Sequence, residues 1–337
     1  MAGRSPLDLS RLRRVLIHKP DHLGDVLTAV PTLHALRRAA PEAHFAAAML
    51  EGPDAVWREL GLVHEVRHLP QVYWWKTGAA LSYVRWARSR RFELVVNLRH
   101  DFRDIGAMRF LGAKYVATPT HRIFGQPASH AFLPPRDDKP EWDNHANALR
   151  ELGLPVEPYA LSENLKASFA SARQGLDLPD AYIAMHPFAR QSAKRWPLDR
   201  CLSLIDRLAT RERPVVLLGG PEHVGEIGTF AKNKNVIDRV GMTDIAGLMA
   251  AVAGARLLIT FDSGPGHIAP LVGCPVLAIM SGTNEHQRWA PAGARVIAES
   301  VACAPCHKPV CSVDGHPCMT GIDVDRVADA ALEMMTS

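Results

Sequence analysis

Short apolar runs of strand length alternate along this chain with longer segments whose apolar residues recur every three or four positions. Strands that alternate with helices in this way favour a parallel, doubly wound α/β sheet. The apolar runs predict strands at residues 14–18, 45–50, 63–69, 94–98, 114–117, 182–186, 214–218, 236–238, 257–260 and 276–280. The helical spacing predicts helices at residues 26–36, 141–152, 198–210, 244–253 and 267–272.

The strand pattern stops near a charged, proline-rich stretch at residues 134–140 and restarts after residue 178. We therefore predict an N-terminal domain at residues 1–158, a linker at 159–178, a C-terminal domain at 179–320 and a final helix at 321–337. A chain of 337 residues is long enough for two domains of about 150 residues each. We expect a cleft between the two halves.

The composition is that of an ordinary globular protein, with 47% hydrophobic and 22% charged residues. No apolar run approaches the roughly 20 residues that a membrane-spanning helix needs, and the run at residues 15–17 is too short for the core of a signal peptide. We therefore predict a cytoplasmic enzyme. Lys and Arg outnumber Asp and Glu in the first 160 residues, which favours either peripheral contact with the anionic inner membrane or an ordinary solvated surface. No dense basic run is interleaved with aromatic residues, so no nucleic-acid partner is predicted.

Polar clusters follow the ends of several predicted strands, where open α/β sheets bind their ligands. They lie at residues 19–25, 186–197, 219–223 and 262–267. In the last of these, an acid, a hydroxyl and two glycines separate an apolar strand from a helical segment. Glycines at such a turn let the backbone approach a ligand closely, and the amino end of a helix suits a phosphate.

The side chains of these clusters each have two interpretations. Asp25 is either a general base for an acceptor hydroxyl or an acid that stabilises the first turn of a helix, and Asp21 is the rival base. Lys194 and Arg195 either neutralise charge on a diphosphate leaving group or are solvated. Ser192 is a second candidate for the phosphates. Glu222 either holds ribose hydroxyls or is a first-turn acid.

Taken together, the motifs resemble glycosyltransferase family 9, which contains the ADP-heptose:lipopolysaccharide heptosyltransferases. The matching segments are Leu23-Gly24-Asp25-Val26-Leu27 with Pro31, Ala193-Lys194-Arg195-Trp196-Pro197, Leu218-Gly219-Gly220-Pro221-Glu222 and Asp262-Ser263-Gly264-Pro265-Gly266-His267-Ile268-Ala269. The resemblance implies a GT-B fold, in which two Rossmann-like domains face a central cleft. It also implies a metal-independent, inverting transfer of a heptose from ADP-heptose, with the acceptor bound by the N-terminal domain and the donor by the C-terminal one.

The same resemblance implies roles for individual residues. Asp25 would be the catalytic base, in an acceptor-side loop that also contains Lys19, Asp21 and Gly24. Lys194 would contact the diphosphate or the sugar, and Asp262 would hold heptose hydroxyls. The diphosphate would be cradled by Ser263, Gly264, Gly266 and His267.

The acceptor is predicted to be a sugar of the lipopolysaccharide core. The motifs also fit a serine on a protein or a small natural product as acceptor. They equally fit a sugar-nucleotide epimerase on the same fold, or a nucleotide-binding protein without catalysis in which Asp25 only caps a helix. No cofactor is predicted for the transfer itself.

Four of the six cysteines crowd into the pattern Cys303-x2-Cys306-x4-Cys311-x6-Cys318. Four thiolates could close a tetrahedral structural zinc site, and iron would suit them as well. His307 or His316 could replace one thiol. The alternative is a packed loop of reduced thiols, because the spacing is irregular for a zinc ribbon. The other two cysteines, Cys201 and Cys274, lie in apolar surroundings and are expected to be buried.

Overall fold

The computed structural model describes residues 7–70, 78–121, 129–156, 175–226 and 233–336. The chain divides into two compact units, Met1–Ala160 and Leu161–Ser337. Of the predicted linker, only residues 175–178 lie among those that the structure describes. Each unit contains one six-stranded sheet in which every recorded strand pair is parallel.

The first unit consists of a sheet with helices in its crossover connections. Its strands are β1 (Arg14–His18), β2 (His44–Met49), β3 (Glu65–His68), β4 (Leu94–Asn97), β5 (Tyr115–Pro119) and β6 (His130–Phe132). Its α-helices are Leu23–Thr28, Val30–Ala39, Asp54–Glu59, Gly78–Arg90, Phe102–Ala107, Glu141–His145 and Asn147–Glu151. The central strands are apolar and buried along nearly their whole length, as expected where helices cover both faces of a parallel sheet.

The second unit repeats this plan. Its strands are β7 (Ile183–His186), β8 (Val215–Leu217), β9 (Val236–Asp238), β10 (Leu257–Phe261), β11 (Val276–Ile279) and β12 (Arg295–Ile297). Its α-helices are Leu198–Leu208, Ile245–Ala253, Ile268–Val272, His286–Trp289, Pro317–Thr320 and Val324–Thr336. The last helix buries Val327, Ala328 and Ala331 in the apolar core of this unit, so the predicted final helix is an integral part of the second fold.

Both sheets have the same strand order. The first runs β3-β2-β1-β4-β5-β6, and the second runs β9-β8-β7-β10-β11-β12. This is the order of a doubly wound Rossmann sheet, whose chain direction across the sheet reverses between the first and the fourth strand. Ligands of such sheets bind beyond the carboxyl ends of those two strands. The architecture is therefore the predicted GT-B pair of Rossmann-like folds, and its switch points lie after β1 and β4 and after β7 and β10.

The strand predictions were confirmed to within one or two residues, but two short strands were missed. Both β6 and β12 are three-residue strands at the end of their sheets, too short for an apolar alternation to stand out. Two predicted helices are each broken in two. Residues 26–36 divide at Ala29, where Pro31 lacks the N–H group that would continue the helical bonding to Leu27. Residues 141–152 divide at Ala146.

None of the helices in the described ranges is long and apolar enough to cross a bilayer.

Candidate active site

The loop after β1 contains a buried lysine that spans the switch point of the first sheet. Lys19 is 2% exposed. Its Nζ lies 3.0 Å from Asp21 Oδ2 and donates a hydrogen bond to the carbonyl oxygen of Leu98, just beyond β4, at 3.3 Å. Burial alone would lower the pKa of this ammonium, but the carboxylates of Asp21, Asp25 and Glu141 raise it above its ordinary value. Lys19 therefore stays charged and ties the ends of β1 and β4 together.

Asp25 lies in the first turn of the helix Leu23–Thr28 that follows this loop. Burial raises the pKa of its carboxyl group to about 6, and the negative charges of Asp21 and Glu141 act in the same direction against the opposing charge of Lys19. Such a group is ionised at neutral pH yet more basic than an ordinary aspartate. That combination suits a general base.

The rival acid, Asp21, has the opposite electrostatic environment. Burial would raise its pKa, but the positive charges of Lys19 and Arg99 lower it below the ordinary value. Arg99 Nε lies 3.5 Å from Asp21 Oδ1. Because Asp21 is held as an anion between two cations, its carboxylate is the weaker base of the two.

Two further side chains face this site and were missed from the sequence. Glu141 and His145 lie one turn apart in the helix Glu141–His145, are buried, and approach each other to 3.5 Å between Nε2 and Oε1. Burial, together with the charge of Lys19, lowers the pKa of His145 to about 4, so its ring is neutral at pH 7. The sequence feature that could have identified them is the polar residues at positions 141, 144 and 145, which share one face of a helix.

A buried polar network supports the loop from behind. His18, the last residue of β1, places Nδ1 3.0 Å from the hydroxyl of Tyr83 and Nε2 3.2 Å from Asp104 Oδ1. Asp104 Oδ2 in turn lies 3.3 Å from Arg99 Nε, and Arg99 Nη1 donates to the Pro20 carbonyl oxygen at 3.1 Å. Burial raises the pKa of the Tyr83 phenol well above its usual value. The network thus fixes the backbone that precedes Asp25.

At the switch point of the second sheet, two predicted donor residues form a partly buried ion pair. Lys194 Nζ lies 2.6 Å from Asp262 Oδ2. Asn284 donates its Nδ2 hydrogen to the same oxygen at 3.1 Å. The sequence predicted Lys194 and Asp262 separately, and the fold brings them into contact. Asn284, in the loop after β11, was missed because nothing in its local sequence marks it.

Ser263 links the ends of β7 and β10. Its Oγ lies 3.2 Å from His186 Nδ1 and 3.1 Å from Thr260 Oγ1. Burial lowers the pKa of His186 to about 3, with the nearby His223 acting in the same direction. The imidazole is therefore neutral, and the serine hydroxyl is held at the carboxyl edge of the sheet by uncharged partners.

The glycine turn after Asp262 differs in detail from the prediction. Gly264–His267 forms a 3₁₀ turn, and the α-helix Ile268–Val272 is only five residues long. Its dipole is consequently weaker than that of a full helix. A Cβ atom on Gly266 would lie 3.0 Å from Pro291 Cγ and 3.1 Å from Thr260 Cγ2. A side chain at this position would therefore require Pro291 or Thr260 to shift by a few tenths of an ångström.

The other predicted donor residues have partners elsewhere in the second unit. Arg195 places Nη1 2.7 Å from Glu226 Oε2 and donates Nε–H to the Ala189 carbonyl oxygen at 2.7 Å. Ser192 Oγ donates to the Pro309 carbonyl oxygen at 3.4 Å. Glu222 is exposed, 3.6 Å from His223 Nε2, and its carboxylate lies next to Gly220.

The four clustered cysteines line one cavity of about 270 Å³, together with Ala193, Gly282 and His316. Burial raises the pKa of the Cys318 thiol, and the other three thiols raise it further. Within the described ranges, however, no group of three or more His, Cys, Asp or Glu side chains has an arrangement that could hold a metal ion.

Thiolates suit zinc or iron chemically, and a structural metal at these four cysteines stays a prediction. The side chains are engaged otherwise: Cys311 Sγ donates to the Val313 carbonyl oxygen, His307 Nε2 lies 3.2 Å from Glu285 Oε1, and His316 bonds to Ala193. The remaining two cysteines, Cys201 and Cys274, are buried as predicted, and burial raises the pKa of each thiol to about 12.

Known proteins resemble this chain over most of its length. Residues 137–316 match the family described as "Glycosyltransferase family 9 (heptosyltransferase)". The chain is 26% identical over 284 residues to "Lipopolysaccharide heptosyltransferase 3" of Escherichia coli K12, a match that covers 80% of this chain and 82% of the relative.

Two solved structures share the fold. The glycosyl transferase family 9 protein from Veillonella parvula has a TM-score of 0.77 at 22% identity, covering 98% of this chain and 99% of its own. The E. coli heptosyltransferase WaaC, solved with ADP-2-deoxy-2-fluoro heptose, has a TM-score of 0.72 at 17% identity. This match covers 95% of the present chain and 99% of the WaaC chain.

Proposed function

The chain belongs to glycosyltransferase family 9, and from this we propose that it transfers a heptose from ADP-heptose to a hydroxyl group of the lipopolysaccharide core. The names of its relatives support both substrates, since one is a lipopolysaccharide heptosyltransferase and another was solved with a fluorinated ADP-heptose. The observation that carries the mechanism is Asp25, a carboxylate at a switch point whose pKa is raised to about 6 by burial and neighbouring acids.

In the proposed reaction, the Asp25 carboxylate removes the proton of the acceptor hydroxyl. The resulting oxygen nucleophile forms a bond to the anomeric carbon of the heptose, while the bond from that carbon to the diphosphate oxygen breaks and ADP leaves. Attack opposite the leaving group inverts the anomeric configuration. General-base catalysis of this kind contributes about 10²–10⁴-fold. Lys19, Asp21 and Gly24 belong to the same loop and are proposed to face the acceptor.

The second unit is proposed to bind the donor. The Lys194 ammonium, already 2.6 Å from Asp262, would stabilise the charge that develops on the departing diphosphate. Asp262 and Asn284 would bind heptose hydroxyls, because a carboxylate and an amide can together accept and donate to adjacent hydroxyl groups. Ser263, Gly264, Gly266 and His267 are proposed to contact the diphosphate, with Ser192 and Arg195 at its margin. Glu222 is proposed to hold the ribose hydroxyls.

The acceptor would be presented at a lipid surface, since the lipopolysaccharide core is carried by a lipid. We propose that the enzyme acts in the cytoplasm and contacts the inner membrane peripherally, consistent with the excess of Lys and Arg in the first 160 residues. A protein serine or a small natural product would require the same base chemistry. Experiment must therefore decide which of these three acceptors the enzyme uses.

The test is to incubate the purified protein with ADP-heptose, with and without a heptose-deficient lipopolysaccharide core. Acceptor-dependent release of ADP, together with a heptose mass increment on the core and an inverted anomeric signal by NMR, is the expected result. Free heptose or an isomerised nucleotide would instead indicate a hydrolase or epimerase. Binding of ADP without turnover on any acceptor would contradict the proposal. A heptose mass increment found only on protein would mean that the acceptor is a protein, and the proposed transfer reaction would still stand.

A further inference from the structure

The two side chains that bind Asp262 come from different loops, and both loops are held by the same neighbouring stretch of chain. We call residues 301–318 the cysteine segment. Lys194 belongs to the 3₁₀ turn Ser192–Lys194, and Asn284 belongs to the loop between β11 and the helix His286–Trp289. Neither loop is regular secondary structure long enough to hold its side chain by itself.

The cysteine segment holds the lysine turn on both sides of Ala193, the residue before Lys194. The Ala193 N–H donates to the Pro309 carbonyl oxygen at 3.2 Å. The Ala193 carbonyl oxygen accepts from His316 Nε2 at 3.0 Å. Because a carbonyl oxygen only accepts, His316 carries its proton on Nε2. Both backbone groups of Ala193 are thus bound to the cysteine segment.

The asparagine loop is attached to the same segment through its backbone. Cys306 N–H donates to the Gly282 carbonyl oxygen at 3.0 Å, and His307 N–H donates to the Thr283 carbonyl oxygen at 2.8 Å. A Cβ atom on Gly282 would lie 2.9 Å from the Cβ of Ala304. The two backbones are therefore packed so closely that a shift of the segment must also shift the residues next to Asn284.

From this arrangement we infer that the cysteine segment positions Lys194 and Asn284 around Asp262, and that His316 is a positioning residue for binding of the nucleotide-sugar diphosphate. The inference rests on the donor role proposed above for Lys194 and Asp262. Its physical basis is that a binding side chain works only when its own backbone is held, and small displacements of such groups cost affinity and rate.

His316 can be tested against a matched control in the same segment. Both His316 and His307 have left-handed backbone conformations, with φ of 49° and 53°. His307, however, directs its imidazole to Glu285 at the surface and is 60% exposed. Asparagine tolerates the left-handed conformation but is too short to place a donor where His316 Nε2 lies. Glutamine reaches that position.

The experiment measures ADP affinity by calorimetry and donor and acceptor KM by initial rates, for the wild type and for H316N, H316Q, H307N and H307Q. We expect H316N to weaken ADP binding and raise the donor KM about tenfold, the effect of one lost hydrogen bond. The acceptor KM should not change. H316Q should restore near wild-type values, and both His307 variants should match the wild type.

Several outcomes would overturn the inference. These are an H316N variant that resembles H307N, one whose donor and acceptor KM rise equally, or one that glutamine does not rescue. A wild-type protein that binds ADP but does not transfer heptose would refute the proposed function, while the ADP affinities of the variants would still decide the role of His316. A wild-type protein that does not bind ADP would refute both.

Discussion

The two switch points of this protein have the same topology and opposite electrostatics. In the first unit, Asp21, Asp25 and Glu141 gather around the single ammonium of Lys19, so that one carboxyl group, Asp25, has a raised pKa. In the second unit, Lys194 and Asp262 neutralise each other at 2.6 Å, and the neighbouring His186 is neutral. The excess of carboxyl groups in the first unit favours uptake of a proton. The Lys194 ammonium in the second unit is paired with only one carboxylate, so it can also bind an anionic ligand.

The difference teaches that the strand order specifies where a ligand binds but not what chemistry occurs there. Both sheets place loops beyond the first and fourth strands. Which loops carry charge, and how those charges are paired, then decides whether the edge acts as a base or as an anion site. Substitutions in each unit test that contrast.

The largest effect is expected from D25N. Removing the base should lower the transfer rate about 10³-fold, while ADP affinity by calorimetry remains near that of the wild type. The same variant should unfold at higher urea concentration at pH 7.5. The folded-state pKa of Asp25 is about 6 against an ordinary 3.8, so the ionised carboxylate destabilises the fold above pH 6, by about 1–3 kcal/mol. This gain should shrink as the pH falls below 6 and Asp25 becomes protonated.

D21N is the matched control within the same loop. Asp21 has a lowered pKa and stabilises the fold as an anion between Lys19 and Arg99. Its removal leaves buried Lys19 with fewer partners and should cost about 2–4 kcal/mol of stability at pH 7. An increase in stability for D25N and a decrease for D21N would show that the two carboxylates have opposite effects on the fold. A D25N enzyme with wild-type rate, beside an inactive D21N enzyme that remains folded, would reverse the two assignments.

In the second unit, K194A should reduce kcat/KM for the donor about 10²–10³-fold, as expected for loss of a group that stabilises developing charge. The acceptor KM should be little affected. R207A is the control in the same unit, because Arg207 pairs with Asp325 at the surface and should contribute only to stability. Initial rates with varied donor and acceptor distinguish the two. Equal donor kinetics in K194A and the wild type would remove the lysine from the proposed site.

The smallest effect concerns the pH dependence of the reaction. The rate should rise with pH as Asp25 ionises, with a midpoint near its pKa of about 6. The E141Q variant removes a negative charge that raises this pKa, so its midpoint should move to lower pH while the plateau rate changes little. Profiles of kcat/KM between about pH 4 and about pH 8, roughly two units on either side of the expected midpoint, measure both. A midpoint that does not move in E141Q would mean that Glu141 does not act on Asp25.

The local patterns of the chain were enough to predict most of the fold and part of the site. Apolar runs identified nearly every central strand, because a strand covered on both faces must be apolar along its length. Residues that follow a strand directly, such as Asp25 and Asp262, could be identified as site candidates since their position is a matter of local sequence. The resemblance of the motifs to a known family added the prediction that these distant residues serve one reaction.

Other members of the two sites could not be found this way. Glu141 lies more than a hundred residues from Lys19 in sequence, and Asn284 lies 22 residues after Asp262. Their encounters depend on which strands are neighbours and on where each helix begins. The cysteine spacing predicted four ligands for a metal, and the four cysteines line one cavity, but spacing does not specify the arrangement of their side chains. Side-chain direction is set by packing around the whole segment.

The sequence by itself thus determined the alternation of strands and helices, the two-fold repetition of that pattern and the polar residues at the strand ends. These depend on interactions between residues a few positions apart. Only the tertiary structure decided that Asp25 rather than Asp21 has the raised pKa, that Lys194 and Asn284 share Asp262, and that the cysteine segment holds the backbones of both. Burial and charge pairing act through space, and the residues concerned meet only when the sheet has formed.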